Sequence, residues 1–415
     1  MPAGTQSDSL ISPRRVWDHC DVMLRSRAAI VGVGRTEFFR RGRAAPLTTV
    51  DLAVGAVLDA IADAGLQPSD VDGFSYFNYD ERYGPHVLAP LLGVDEIRFA
   101  STATGGGNGS AAAIGNAAAA IATGQAGVVI TVMALNQDVR YGARAAVETQ
   151  PPGLSAEADF YVSQGLIGAA QMMAMFARRH MYEYGTRREH FGEVVLSARE
   201  NAASNPRAIR PEPVSVEDYL AARSIADPLN LFDCCGEDEG AVACVTVGSD
   251  RARDLPHPPA HILSSAHGGY GRWGRAFQQF AVPAEHFASS GARLVADRVY
   301  HQAGVGPGEI DVALLYDHFS PAVLLQLEDF GFCTAGEAGA FVEDGPIRWP
   351  DGRLPVNPHG GHLAEAYIVG MTHVAEAVEQ IRGTAINQVA GAEIALVTGG
   401  MSSGPTSALI LGKTA

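Results

Sequence analysis

One phrase occurs twice in this chain, and it limits what the chain can fold into. In the first copy Val54, Val57, Leu58 and Ile61 fall at i, i+3, i+4 and i+7, the stripe of an amphipathic helix that Thr48 or Thr49 can cap. The stripe stops at Ala64-Gly65, a helix C-terminal signal, and a Pro-Ser-Asp stretch leads to the strand-like run Phe74-Ser75-Tyr76-Phe77. In the second copy Ala292, Val295, Ala296 and Val299 form the stripe, Ala303-Gly304 the stop, and Val312-Ala313-Leu314-Leu315-Tyr316 the strand. A second pair of units follows suit. Gly105-Gly106-Gly107 opens an Ala-rich helix (111–123) before the strand Val128-Val129-Ile130-Thr131-Val132, and Gly360-Gly361 opens a helix before Ile394-Ala395-Leu396-Val397. Two halves with the same strand–helix order predict a duplication and two packed α/β units. The first starts at the buried-strand signal Ala28-Ala29-Ile30-Val31-Gly32-Val33-Gly34, which places the halves at 28–259 and 260–415.

Residues 134–230 interrupt the first half and are richer in Arg, Pro, Gln and Met. Helices are predicted there over 166–184 and 187–203, the latter with Phe191, Val194, Val195 and Ala198 at helical spacing. An insertion of this kind usually carries ligand binding on a scaffold. Residues 1–27 are polar, contain Arg and lack the apolar core of a signal peptide, so they read as a disordered or variable extension, with Met23 just ahead of the first strand.

The composition, 47% hydrophobic and 18% charged, supports an ordinary globular core. The formal charge of −16 argues against a nucleic-acid partner, and an anionic ligand must then meet local basic or backbone-amide groups. No run of about 18 apolar residues predicts a membrane helix. Cys20, Cys234, Cys235, Cys244 and Cys333 show neither zinc spacing nor a disulfide framework, which fits a reduced cytoplasm. Cys234-Cys235 reads as a pair of buried structural thiols. No metal is expected, since no third ligand stands at coherent spacing.

The stretch richest in chemical signals is Asn357-Pro358-His359-Gly360-Gly361-His362-Leu363-Ala364-Glu365-Ala366-Tyr367-Ile368-Val369-Gly370, read as a Gly-rich loop running straight into a helix that ends at Arg382-Gly383. Paired glycines let backbone approach a ligand, and a helix N-terminus favours negative charge. This loop resembles the thiolase superfamily pattern Asn-Pro-x-Gly-Gly, four residues, Gly-His-Pro-x-Gly. On that frame Ala366 stands at a Gly, Tyr367 at the catalytic His and Ile368 at the Pro, while Gly370 matches. Three further segments occur in the family's order. Thr104-Gly105-Gly106-Gly107-Asn108-Gly109-Ser110 has Gly106 where the family has its acyl-accepting Cys. Tyr316-Asp317-His318-Phe319-Ser320 has Tyr316 where the family has Asn or His. Val397-Thr398-Gly399-Gly400-Met401 has Val397 where the family has its second catalytic Cys. The stretch 180–191, with Ala202-Ala203-Ser204-Asn205-Pro206, is similar to the loop domain of sterol-carrier-protein thiolases.

The resemblance spans about 28–413. It implies the thiolase fold: two duplicated α/β halves in a layered αβαβα arrangement with an inserted loop domain. No acyl-enzyme can form on the glycine at the nucleophile position. Loss of both thiols with tyrosines at two other reactive positions resembles the thiolase-like aldolases of steroid side-chain degradation. These are lyases that split a β-hydroxyacyl-CoA side chain, by retro-aldol cleavage, into a ring ketone and a short acyl-CoA such as propionyl-CoA or acetyl-CoA. The alternatives are a thiolase or acetyl-CoA acyltransferase using another nucleophile, and a non-catalytic thiolase-fold subunit of a complex.

The resemblance implies proton transfer and oxyanion stabilisation by Tyr367 and Tyr316, the acid and base undecided. His318 reads either as their proton relay or as a hydrogen-bonded core histidine. Tyr270, in a Gly-aromatic loop, either reaches the pocket or is plain structure. For the acyl-CoA the candidates are His359, Gly360, Gly361, His362, Gly106 and Asn108, with Arg187 and Arg188 for phosphates; each Arg also reads as part of a solvated basic helix face. No cofactor beyond the CoA thioester substrate is expected. The family further implies a homodimer, paired through an edge strand near 127–132, and a complex with a small OB-fold, zinc-ribbon protein.

Overall fold

A computed structural model describes residues 25–77, 80–104, 106–136, 163–166, 168–269, 287–400 and 405–415. The strands of the first half are β1 (Ala28–Arg35), β2 (Phe39–Arg40), β3 (Gly73–Phe77), β4 (Phe99–Ala103) and β5 (Val128–Leu135). After the short β6 (Ser224–Ala226) and β7 (Leu229–Asn230), the long β8 (Asp238–Gly248) returns beside β1. The second half supplies β9 (Ala260–Gly268), β10 (Val312–Leu314), β11 (Ile394–Thr398) and β12 (Thr406–Gly412). They hydrogen-bond in the order β10-β11-β12-β9-β1-β8-β5-β3-β4. The order is symmetric about the antiparallel β1–β9 ladder. On either side an antiparallel pair (β1–β8, β9–β12) continues through another antiparallel partner (β5, β11) into a parallel one (β3, β10).

Successive residues of the central strands serve different cores, as the period of two requires. Ala28 and Ile30 of β1 face the core that holds the helices Ser110–Ala122 and Met371–Arg382. Ala29 and Val31 face the helix Thr49–Asp63. Ser110–Ala122 packs on strands of both halves, and Met371–Arg382 does the same. Thr49–Asp63 and Arg293–Ala303 cover the outer sides, so five layers alternate, helix, sheet, helices, sheet, helix. Alanines at 111, 112, 113, 117 and 118 make the central helix thin enough to sit between two sheets. β5 is buried along its whole length, which is why it reads as an apolar run broken only by Thr131.

Local signals act as expected at the first outer helix. Thr48 caps it: its hydroxyl accepts the Asp51 N–H at 3.2 Å, and Asp51 accepts the Thr48 N–H at 2.8 Å. The insertion forms Ala169–Tyr184 and Arg188–Ala202 within the predicted spans. Phe176, Phe191 and Val195 of these helices share one buried core with Leu263, Val323 and Leu396, so the insertion leaves the first half but belongs to the core of the second.

Two expectations need correction. β5 lies between β3 and β8, so residues 127–132 offer no free edge; the edge on that side is β4, because two parallel crossovers place β3 and β4 outside it. The Gly-rich loop also does not run straight into a long helix. A single turn, Gly361–Ala364, is followed by irregular chain, and the helix starts at Met371. Val369 (φ 49°) and Gly370 (φ 90°) are left-handed there and interrupt the helical ladder, and Tyr367 sits in that irregular stretch.

Candidate active site

The site forms where β10 ends. Asn357 is left-handed (φ 47°), and its side-chain amide continues the ladder past the strand: Nδ2 donates to the Leu315 carbonyl at 2.8 Å and Oδ1 accepts the Leu315 N–H at 2.9 Å. The Tyr316 N–H donates to Thr398 Oγ1 at 2.9 Å, and Gln326 Nε2 donates to the Tyr316 carbonyl at 2.9 Å. Asp317, buried, then ties the strand end to the Gly-rich loop. It accepts the N–H groups of His362 (2.9 Å) and Leu363 (3.3 Å) and the Nε2–H of His373 (3.1 Å), which also donates to the Leu315 carbonyl. A Cβ at Gly361 would overlap Asp317 Oδ2, and the φ of 63° there also suits glycine, so Gly361 is what lets the loop close on the carboxylate.

This clamp brings the two predicted tyrosines together. Tyr316 Oη lies 3.0 Å from Tyr367 Oη, with the rings nearly perpendicular at 85°. Tyr316 is buried and Tyr367 half-buried. Burial, and then the neighbouring Tyr367, push the Tyr316 phenol well above its ordinary range, so Tyr316 keeps its proton. The His362 ring stands edge-on, 4.6 Å from the Tyr316 ring and 5.1 Å from that of Tyr367, and stacks on His373 at 4.0 Å. His318 faces Tyr316 at 5.0 Å; burial holds its imidazole down at about 4, so it is neutral near pH 7. Its Nδ1 has no hydrogen-bond partner among the described residues.

The Gly-rich segment of the first half supplies the opposite wall. Gly106 is left-handed (φ 60°) with open space at its Cβ position. Gly107 is the residue against Tyr316: a Cβ there would overlap Tyr316 Oη. Asn108 is buried and turned toward Gly400, whose N–H donates to the Gly107 carbonyl at 3.1 Å. The remaining candidates scatter. His359 is buried behind the tyrosines, its ring 5.0 Å from that of His373. Gly360 is left-handed at the start of the single turn (φ 104°). Arg187 donates to Glu343 at 2.6 Å, and Arg188 lies close enough to the buried Tyr219–Asp233 pair for its charge to act on it. Tyr270 lies outside the described residues. Cys234 and Cys235 are free and only partly buried, not fully buried as expected, and loss of solvation raises both thiols.

Sequence spacing missed His373, which shows only as one residue of a helix, and the role of Asp317, which stood between two candidates. Asp317, His362 and His373 bring one oxygen and two ring nitrogens within 4.8 Å of one another. Asp317 and His373 already spend those atoms on N–H and C=O groups of the chain.

A buried charge cluster backs the loop. Arg207 reaches Glu365 (3.3 Å) and Glu379 (3.1 Å), and Arg35 pairs with Glu379 at 2.6 Å. Burial, then the charge of Glu379, push the Glu376 carboxyl up to about 8. A group whose folded pKa exceeds its unfolded value stabilises the fold fully below the unfolded value and loses that contribution as pH rises through the folded one. The buried histidines 318, 359 and 362 are shifted the other way and weaken the fold only below about pH 6.5. Between pH 6.5 and 8 the carboxyl sets the sign. The Tm is expected to fall across that window, by up to about 1.4 kcal/mol of stability per pH unit, and Glu376→Gln to flatten the fall. Thermal melts of both proteins at pH 6.5 and 8 check this; equal slopes would remove Glu376 from the account.

Comparison with known proteins places this geometry. Residues 28–243 match the family described as Thiolase, N-terminal domain, and residues 276–413 the Thiolase C-terminal domain-like family. The chain is 45% identical over 395 residues to a steroid side-chain-cleaving aldolase of Thermomonospora curvata, covering 94% of this chain and 99% of that one. It is 42% identical over 394 residues to the 17-hydroxy-3-oxo-4-pregnene-20-carboxyl-CoA lyase of Mycobacterium tuberculosis, covering 94% of this chain and all of that one. A solved structure, an Ltp2-ChsH2(DUF35) aldolase, superposes with a TM-score of 0.86 at 42% identity, over 94% of this chain and 98% of that one.

Proposed function

This chain belongs to the thiolase family, and on that premise we propose that it is a lyase of the aldolase type that cleaves a steroid β-hydroxyacyl-CoA side chain. The observation that carries the reading is the 3.0 Å contact between the Tyr316 and Tyr367 hydroxyls at a family site with glycine in place of the nucleophile. In the retro-aldol step a base takes the proton of the tertiary hydroxyl and the ring carbonyl forms. The C–C bond breaks, its electron pair enters the thioester enolate, and the enolate carbon is protonated. No bond to the enzyme is required. Tyr316 keeps its proton and stands 3.0 Å from the Tyr367 oxygen, where it can donate to that oxygen as Tyr367 gives up its own proton. Tyr367, the more exposed of the two, is assigned to receive the substrate proton and return it to the enolate. Neutral His318, beside Tyr316, is assigned as the relay. The products are a ring ketone and a short acyl-CoA, propionyl-CoA or acetyl-CoA.

Two assembly features belong to this reading. The free edge β4, with alternate residues partly buried, suits antiparallel pairing with a second copy and would otherwise be an aggregation hazard. The similarity to the Ltp2-ChsH2(DUF35) aldolase supports a second protein as partner, and the family resemblance assigns that place to a small OB-fold, zinc-ribbon chain. Among the described residues no helix is long and apolar enough to cross a membrane; a cytoplasmic location is part of the proposal. The test is incubation with a steroid acyl-CoA bearing a tertiary ring hydroxyl β to the thioester, with and without the partner, and mass analysis of products. Ring ketone plus short acyl-CoA is the expected result. Binding without cleavage in both conditions, or a trapped acyl-enzyme, overturns the reading.

A further inference from the structure

Tyr367 sits in chain that no helix or strand holds, yet proton transfer needs its hydroxyl placed to within a fraction of an ångström. Its N–H donates at 2.8 Å to Oδ2 of Asp238, the first residue of β8 and fully buried. Arg210 closes on that carboxylate from the other side. Its Nη1 donates to Oδ2 at 3.0 Å and its Nη2 to Oδ1 at 2.5 Å, a two-pronged fork with geometric as well as electrostatic specificity. The main chain of the same segment holds the residues just before Tyr367: the Arg210 N–H donates to the Ala364 carbonyl at 3.1 Å and the Ile209 N–H to the Glu365 carbonyl at 3.0 Å. Gly236 keeps the slot open, since a Cβ there would overlap the Arg210 guanidinium. Arg210 lies in the insertion, Asp238 in the first half and Tyr367 in the second, so three parts of the chain converge on one peptide N–H.

We propose that Asp238 and Arg210 are positioning residues for Tyr367, and that through them the insertion sets the placement of the catalytic hydroxyl. The proposal rests on the reading of Tyr367 as the residue that moves the proton. It assigns the pair no contact with substrate.

A double-mutant cycle tests it. Asp238→Asn and Arg210→Lys each keep a polar group in place but lose the fork. Each is expected to lower kcat about 10- to 100-fold, the cost of a misplaced reacting group, with KM changed far less. In a Tyr367→Phe background the same substitutions are expected to change kcat less than about twofold, because the hydroxyl they place is gone. Equal factors in both backgrounds overturn the proposal. So does a KM rise with kcat intact, which would put the pair in substrate binding. Near-wild-type turnover of Tyr367→Phe alone instead overturns the reading of Tyr367, so the two failures are distinct. If Asp238→Asn does not fold, the partly exposed Arg210 carries the same cycle.

Discussion

Tyr367→Phe is expected to lower kcat by about 10²–10⁴-fold, the usual contribution of a positioned general acid–base group. The substitution keeps the ring, its edge-on contact with His362 and the main-chain N–H bond to Asp238, and removes only the hydroxyl that meets Tyr316 at 3.0 Å. Acyl-CoA affinity should therefore hardly move, and stability should fall by no more than about 1 kcal/mol. The Tyr316 hydroxyl, left without that partner, remains buried against Gly107, and a lost neutral hydrogen bond costs roughly 1 kcal/mol. A purely structural tyrosine would show the same modest loss of Tm with turnover near wild type. Steady-state kinetics of this variant separate the two, and the second pattern would end the catalytic assignment.

The second large effect is on stability. Asp317→Ala should cost about 3–5 kcal/mol, since it removes a buried carboxylate that satisfies two main-chain N–H groups and His373. The donors left behind cannot reach water, because His362, Leu363 and His373 are all buried. The loop would no longer be pinned to the end of β10, so the tyrosine hydroxyls would separate and activity would go with the fold. Asp317→Asn keeps the shape and one acceptor and should cost roughly half as much. Urea midpoints of the three proteins check the order; an Ala variant as stable as the parent would show that the clamp is ornamental.

Much was legible in the residues themselves, because it depends on neighbours in sequence. The Thr48 cap, the helix that follows it and the buried run of β5 follow from local chemistry and period, but that helix buries Leu52, Ala53, Ala56, Val57, Ala60 and Ile61, and Leu58 of the expected stripe faces out. The repeated stripe-stop-strand phrase foretold the symmetric sheet. The thiolase frame, read from four segments, named Tyr316 and Tyr367 before any distance was known. The edge of the sheet was not legible. Nothing within 127–132 says that β3 and β4 pair outside it, since strand order is set by long-range ladders. Nor was the break before Met371, where Val369 takes a left-handed turn that no residue type advertises. The site shows the same division. Residue types announced which side chains bear chemistry. Only the tertiary structure decided that Gly107, not Gly106, lies against the Tyr316 hydroxyl, that His359 stands behind the tyrosines while His362 faces them, and that Asp238 and Arg210 hold the chain at Tyr367. The physical reason is burial. Groups distant in sequence share one dry volume, and their proton affinities and hydrogen bonds are set there by one another rather than by their own neighbours.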